Sequence, residues 1–429
     1  MAATSITDVR ARKTFDGCAR TSFEVEVHTE SAWARAAPSY SDPRSSGKYE
    51  IVHFPETGVQ GSVDFVCTVI RERLVGMDAC AQSAIDAALR EIDGSGDFSR
   101  IGGNTAEAVS MTVAKAAAAS LAIPLHTYLG GTFATKLPHL MLNIIGGGAT
   151  MGGEGWRGRG PDLQDHLIIP VGFSSTYEAL AAISEVFHVT GELIREADPG
   201  FAGGRDEEYC WIPMLDDRTC LDILKTACER VCSRRRFRFR LGLDVGASDL
   251  WHADEQAYVY TRAGIKRDKD DQARYVADLI EGYDLFYVED AFFEDHIELY
   301  ADQCQQFGKQ CLIMGDDFLA TNAARLETAL SCGAVNAAVV KLNMAGTVSE
   351  TQRFIELCRQ NAIATIAAAR TYDSPDDTLA DLVVGWGATG YKCGSPAGGE
   401  HAAKYNRFIR IEEQLGPAAE FAAYPGAHP

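Results

Sequence analysis

Residues 311–343 read CLIMGDDFLATNAARLETALSCGAVNAAVVKLN: two short apolar runs, each ending in charged residues, with a helix-length segment between them. Short apolar runs bounded by turns read as buried strands, and strands alternating with helices build a parallel sheet. Outward from this unit the same texture recurs in His166-LIIPVG, Arg240-LGLDV, Leu285-FYVED and Ala364-TIAAAR, with helices expected over 271–280 and 349–361. Six such runs in series favour a closed β/α barrel over an open sheet.

Before residue 136 the texture differs. Residues 21–29, TSFEVEVHT, alternate as a strand with one buried face. Segments 80–92 and 105–121 are Ala-rich with spaced apolar residues, and read as amphipathic helices closed by Gly94 and Pro124. The expected organisation is α/β: an α+β domain over 1–135, then a β/α barrel over 136–429 whose tail after Gly416 frays.

The 429 residues carry 60 Asp+Glu against 40 Lys+Arg, a formal charge of -20. Such a surface repels phosphate backbones and anionic lipid, so neither nucleic acid nor a membrane is an expected partner. The Arg-rich run SRRRFRFR at 233–240 reads as a helix end and strand flank, and Gly153-EGWRG as a Gly-rich lid, not a dinucleotide fingerprint. Twelve Cys without a CxxC pair read as reduced thiols. With no apolar signal segment and no membrane-length run, the expected location is the cytoplasm. An acidic protein that handles a small anion needs a local cation.

That cation has an obvious place. Asp244, Glu289, Asp316 and Lys341 each end an apolar run, at the strand edge where a barrel gathers side chains from different strands. Three carboxylates meeting there repel one another unless a hard divalent ion such as Mg²⁺ sits between them. Taken alone, any one of them reads as a helix N-cap. Followed by a strand-end lysine, the three together suit removal of a proton α to a carboxylate, with Lys341 as base. Lys392, in a turn after the last strands, is placed to neutralise the substrate carboxylate.

The ordered blocks LDVGASD, VEDAFFED, GDDFLATN, VVKLNMAGT, AAARTYDSPDDTLADLVVG and YKCGSP, with TSFEVEVHT, RAAPS and IPLHTYLGG in the first domain, resemble the enolase family from about residue 6 to 416. The resemblance implies an N-terminal capping domain, an enolase-type barrel with one antiparallel strand, Mg²⁺ dependence and a homodimer or higher homo-oligomer. It further implies Asp244, Glu289 and Asp316 as metal ligands, Lys341 as base and Glu207 as the acid that assists the leaving hydroxyl. Gln164 and Asp165 stand where the family has Gln-Glu near substrate and metal. Arg370 matches its phosphate-binding arginine, and Lys392 the lysine that meets the carboxylate. Asp317 reads as a neighbour of the ligands.

Departures concentrate at the phosphate and lid side. Thr150 stands where the family's Gly-rich lid carries a histidine, and Ala369-Arg370-Thr371 replaces His-Arg-Ser. The first mobile loop becomes the longer, charged SYSDPRSSGKYE from residue 39, and GDEGGFAP becomes RDEEYCWIP. Arg157 and Arg159 add charge to the lid. These changes leave the proton-abstraction groups in place and point to a phosphorylated or phosphonate acid with an altered phosphorus group. They suggest a diverged enzyme resembling carboxyphosphonoenolpyruvate synthase of phosphinic-acid antibiotic pathways. The alternatives are conventional 2-phosphoglycerate dehydration and a non-catalytic binding protein on the same scaffold.

Overall fold

The computed structural model describes residues 2–40, 47–148, 160–233 and 237–423. Thr150, Arg157, Arg159 and most of the charged stretch after Tyr40 lie outside them.

In the N-terminal unit the strands Ile6–Phe15, Thr21–Thr29 and Trp33–Ala36 form an antiparallel sheet in chain order. The alternation seen in the sequence buries Phe23, Val25 and Val27 completely. Helix Gln82–Asp93, which ends at Gly94 in a left-handed conformation as expected, packs on helix Gly103–Ser120, which lies against that face. The second helix is buried on nearly all sides, because it is shared between the sheet and the turn Leu342–Ala345 after the sixth barrel strand.

The barrel strands are His139–Gly146, Asp165–Val171, Arg238–Asp244, Tyr287–Glu289, Leu312–Met314, Ala337–Val340, Ala364–Ala368 and Gly390–Cys393. The first pairs with the eighth, and backbone bonds from Asn336 to Ile313 and from Val339 to Gly315 close the ring between fifth and sixth. Only the second strand runs against its neighbours, facing Asp165 to Asp244 in register. Met141, Leu167, Ile169, Phe286, Met314, Val339 and Ile366 fill the interior, and helices pack outside. The expected helices appear as Lys269–Tyr283 and Val348–Gln360, capped by Asp268 and Thr347.

Two expectations change. Lys392 lies within the eighth barrel strand, not in a turn, because Tyr391 and Cys393 alternate toward the outer helices while Lys392 points inward. The tail is not wholly frayed: Glu420–Phe421 pairs with Lys136–Leu137. Among the described residues all cysteines are free, and no helix is long and apolar enough to cross a membrane.

Candidate active site

The strand ends converge as the sequence suggests. Asp244 and Glu289 terminate the third and fourth strands, Asp316 follows the fifth, Lys341 the sixth and Arg370 the seventh. Asp165 joins them from the opposite end of its strand, because the antiparallel course carries a strand's first residue to this edge. At this edge lies a cavity of about 330 Å³ that Gln164, Asp244, Asp290, Asp316, Asp317, Lys341, Arg370 and Thr371 help to line, with Glu289 and Asp165 buried beside it. That volume suits a small acid.

Lys392 Nζ donates to Asp244 Oδ2 at 2.5 Å and Glu289 Oε2 at 2.7 Å, and stands 3.6 Å from Asp165. Lys341 Nζ pairs with Asp316, Tyr287 Oη donates to Glu289, and Gln164 Nε2 donates to Asp244 Oδ2 at 3.3 Å. Asp290 lies under the cluster and accepts the backbone N–H groups of Asp316, at 3.0 Å, and Asp317, at 2.9 Å. It thereby fixes the turn that presents Asp316, at a backbone φ of 42° that a non-glycine residue holds only under strong constraint.

The cluster carries an excess of negative charge. Burial, then the charge of Asp244, pushes Glu289 up to about 7. Burial raises Asp290, Asp317 and Asp165 well above the carboxylate range, and neighbouring carboxylates add to it. Burial alone would lower Lys392, but Asp244 and Glu289 more than reverse that. Two lysines thus leave the negative charge uncompensated. Glu289 Oε1, Asp316 Oδ1 and Asp165 Oδ1 are buried without a hydrogen-bond partner, and acidic side chains at Asp244, Glu289 and Asp290, and at Asp290, Asp316 and Asp317, bring oxygens within 4.8 Å of one another. Oxygen-only donors with orphaned lone pairs fit a hard cation such as Mg²⁺.

Glu207, expected as the acid, contacts Arg20 and Tyr372 and not the carboxylate cluster. Its side chain is 25% exposed, 3.6 Å from the Arg20 guanidinium, and accepts from Tyr372 Oη at 3.3 Å. Glu208 instead points inward: it is 8% exposed, accepts from Asn143 Nδ2 at 2.8 Å, and lies with Asp165 and Cys210 in a buried group. Counting back from Pro213, not forward from Arg205, aligns Glu208 with the glutamate of the family block, since RDEEYCWIP holds one residue more than that block. Tyr209 takes the positive φ, 60°, that a glycine would ordinarily supply there.

Arg370 is buried, and Thr371 lines the cavity beside it. The guanidinium stands 3.2 Å from Glu50, whose carboxylate also accepts from His53 Nε2 at 2.6 Å. Glu50 escaped sequence reasoning because a loop position carries no periodic signal. Burial would raise its carboxyl, yet Arg370 and then His53 hold it down to about 2.

The enolase N-terminal domain model matches residues 6–129, and the model of the enolase C-terminal TIM barrel domain matches 134–428. An enolase of Methanothermobacter thermautotrophicus is 39% identical over 421 residues, 98% of this chain and 99% of that protein. One of Methanosphaera stadtmanae is 40% identical over 96% of this chain and 97% of its own length, and one of Mycobacterium leprae 35% over 97% and 96%. Both domains are matched in order, and the relatives are alike over almost their whole length. A magnesium-dependent enzyme, this chain belongs to the enolase family.

Proposed function

We propose that the chain removes the α-proton and the β-hydroxyl of a 2-phosphoglycerate-like acid to give an enolpyruvyl product. The observation that carries this is the meeting of Asp244, Asp316 and Lys341 at one cavity, with Glu289 buried beside Asp244 and joined to it through Lys392. These carboxylates would hold magnesium, which supplies positive charge to balance the substrate carboxylate when proton removal makes it doubly negative. Lys341 Nζ, as a neutral amine, takes the α-proton. The C–H electron pair becomes the C=C bond, the β C–O bond breaks, and the departing hydroxyl collects a proton from Glu208 and leaves as water. We assign the acid to Glu208 because it, unlike Glu207, lies with Asp165 in the buried group. Lys392 steadies the carboxylate end, Gln164 and Asp165 border it, and Arg370 with Thr371 receives the phosphorus group.

The relatives' name favours 2-phosphoglycerate itself. A modified phosphorus group, as in a carboxyphosphonoenolpyruvate synthase, is a second reading. It is supported by Ala369, which offers no donor, and by a carboxylate, Glu50, on the arginine meant for phosphate. A cytoplasmic homodimer belongs to the same reading, and light scattering on the eluted protein tests the dimer. The reaction is tested by incubating protein, Mg²⁺ and 2-phosphoglycerate in D₂O. Wild type should exchange the α-proton, and Lys341→Ala should not; exchange persisting at the wild-type rate in the variant would remove Lys341 as base.

A further inference from the structure

The anion-side arginine already carries a counter-ion from the other domain. Glu50 belongs to the N-terminal domain, yet its side chain is 1% exposed and inserted beside Arg370. Among the described residues, it is the one group that accepts hydrogen bonds from Arg370, at 3.3 and 3.4 Å to Oε1. These contacts are long for a buried guanidinium and carboxylate, which form bonds of about 2.7–2.9 Å when nothing competes. Something holds the carboxylate back. Oε1 accepts the Gly47 N–H at 2.9 Å and Oε2 accepts from His53 Nε2 at 2.6 Å, so Glu50 is anchored to its own loop while Arg370 leans on it. Arg370 itself lines the cavity.

We propose that Glu50 is a specificity-determining residue: held by His53 and the Gly47 N–H, it neutralises Arg370 and limits how much negative charge the phosphorus subsite accepts. The inference rests on the reading of Arg370 as the phosphate contact. A fixed negative charge one guanidinium away from a bound dianion, in a site of low dielectric, opposes that anion strongly. An amide in its place still accepts from Arg370 and keeps the shape, but removes the opposition.

Binding of inorganic phosphate to the full-length protein, measured by calorimetry at saturating Mg²⁺ and fixed ionic strength, separates the possibilities. Glu50→Gln should bind phosphate at least about fivefold more tightly than wild type. Glu50→Asp, which keeps the charge, should not gain. Unchanged or weaker binding in Glu50→Gln overturns the proposal, since a purely structural side chain would give one or the other. If Glu50→Gln does not fold, Glu50→Gln/His53→Gln, whose amides can bond each other, carries the same expectation. Arg370→Gln tests the underlying reading separately: phosphate affinity should fall sharply, and undiminished affinity would mean that Arg370 is not the phosphate contact, whatever Glu50 does.

Discussion

Glu289 shows at the scale of one residue why this site needs a cation. Free in water its carboxyl would lose its proton near 4.5, but burial and then Asp244 push it up to about 7. In the metal-free protein the unfolded chain therefore releases this proton from about pH 4.5 upward, while the folded one keeps it until about 7. Stability that is full below that window is lost as pH rises through it. Asp217, raised to about 6 chiefly by burial, acts in the same direction. A metal ion replaces the proton. Thermal unfolding should thus show a larger gain from Mg²⁺ over a chelator at pH 8 than at pH 5, and equal gains would contradict the placement of the ion at Glu289. Asp316→Asn should keep the fold while weakening Mg²⁺ binding by more than about tenfold, because an amide carries no charge to give a hard cation. The two neighbouring glutamates permit a direct comparison. Glu208→Gln should lower kcat by about 10²-fold or more, the range expected of a general acid, and Glu207→Gln by less than about tenfold. The reverse order would return the acid role to Glu207.

At the scale of elements, the site depends on strand direction. Asp165 reaches the cluster only because its strand runs against both neighbours; a parallel course would put it at the far end of the barrel. The run HLIIPVG is apolar in either direction, so its reading as a strand was available from the sequence and its orientation was not. The barrel-strand positions of Asp244, Glu289, Asp316 and Lys341 were legible because each closes an apolar run. Lys392 was misplaced into a turn because the run before it, Thr389-GY, is too short to register. Asp290 and Glu50 were not legible at all, since what they do depends on a turn and a loop meeting partners distant in sequence. Gly246 joins local geometry to the metal site. Its φ is 58°, its N–H donates to Asp244 Oδ1 at 3.1 Å, and a Cβ there would come within 2.5 Å of Gln164 Oε1. Gly246→Ala should therefore cost about 1 kcal/mol of stability in denaturant titrations. By displacing Gln164 from Asp244 it should also weaken Mg²⁺ binding about 10-fold to 100-fold in calorimetry.

For the molecule as a whole, the active site is a joint product of two domains. Lys48 Nζ pairs with Asp295 at 2.7 Å, Glu50 holds Arg370, and Arg90 pairs with Glu350, so the N-terminal domain grips the barrel at the site and beyond it. A chain of net charge -20 that gathers still more carboxylates around its cavity repels an anionic substrate until cations are bound. On the proposed reading, substrate choice then falls to the phosphorus end, assigned to Arg370 and Thr371, where Ala369 donates nothing. If 2-phosphoglycerate is the substrate, protein and Mg²⁺ should convert it to phosphoenolpyruvate, followed by absorbance of the enol product. The rate should lie below the typical 10 s⁻¹ or so, because a loosely held phosphate leaves the α-carbon off line, and about 1 Å of misplacement can cost 10²-fold. Ala369→His, which restores a donor beside Arg370, should then raise kcat/KM by roughly tenfold, the value of one further well-placed hydrogen bond. Under the second reading, 2-phosphoglycerate alone is inert, Ala369→His does not rescue it, and a new enol ester forms only when a phosphonoformate-type donor is added, seen by phosphorus NMR. The unsubstituted protein and Ala369→His, in both mixtures, share the same carboxylate cluster and the same Lys341, so a difference between them reports on the proposed phosphorus subsite and on nothing else in the site.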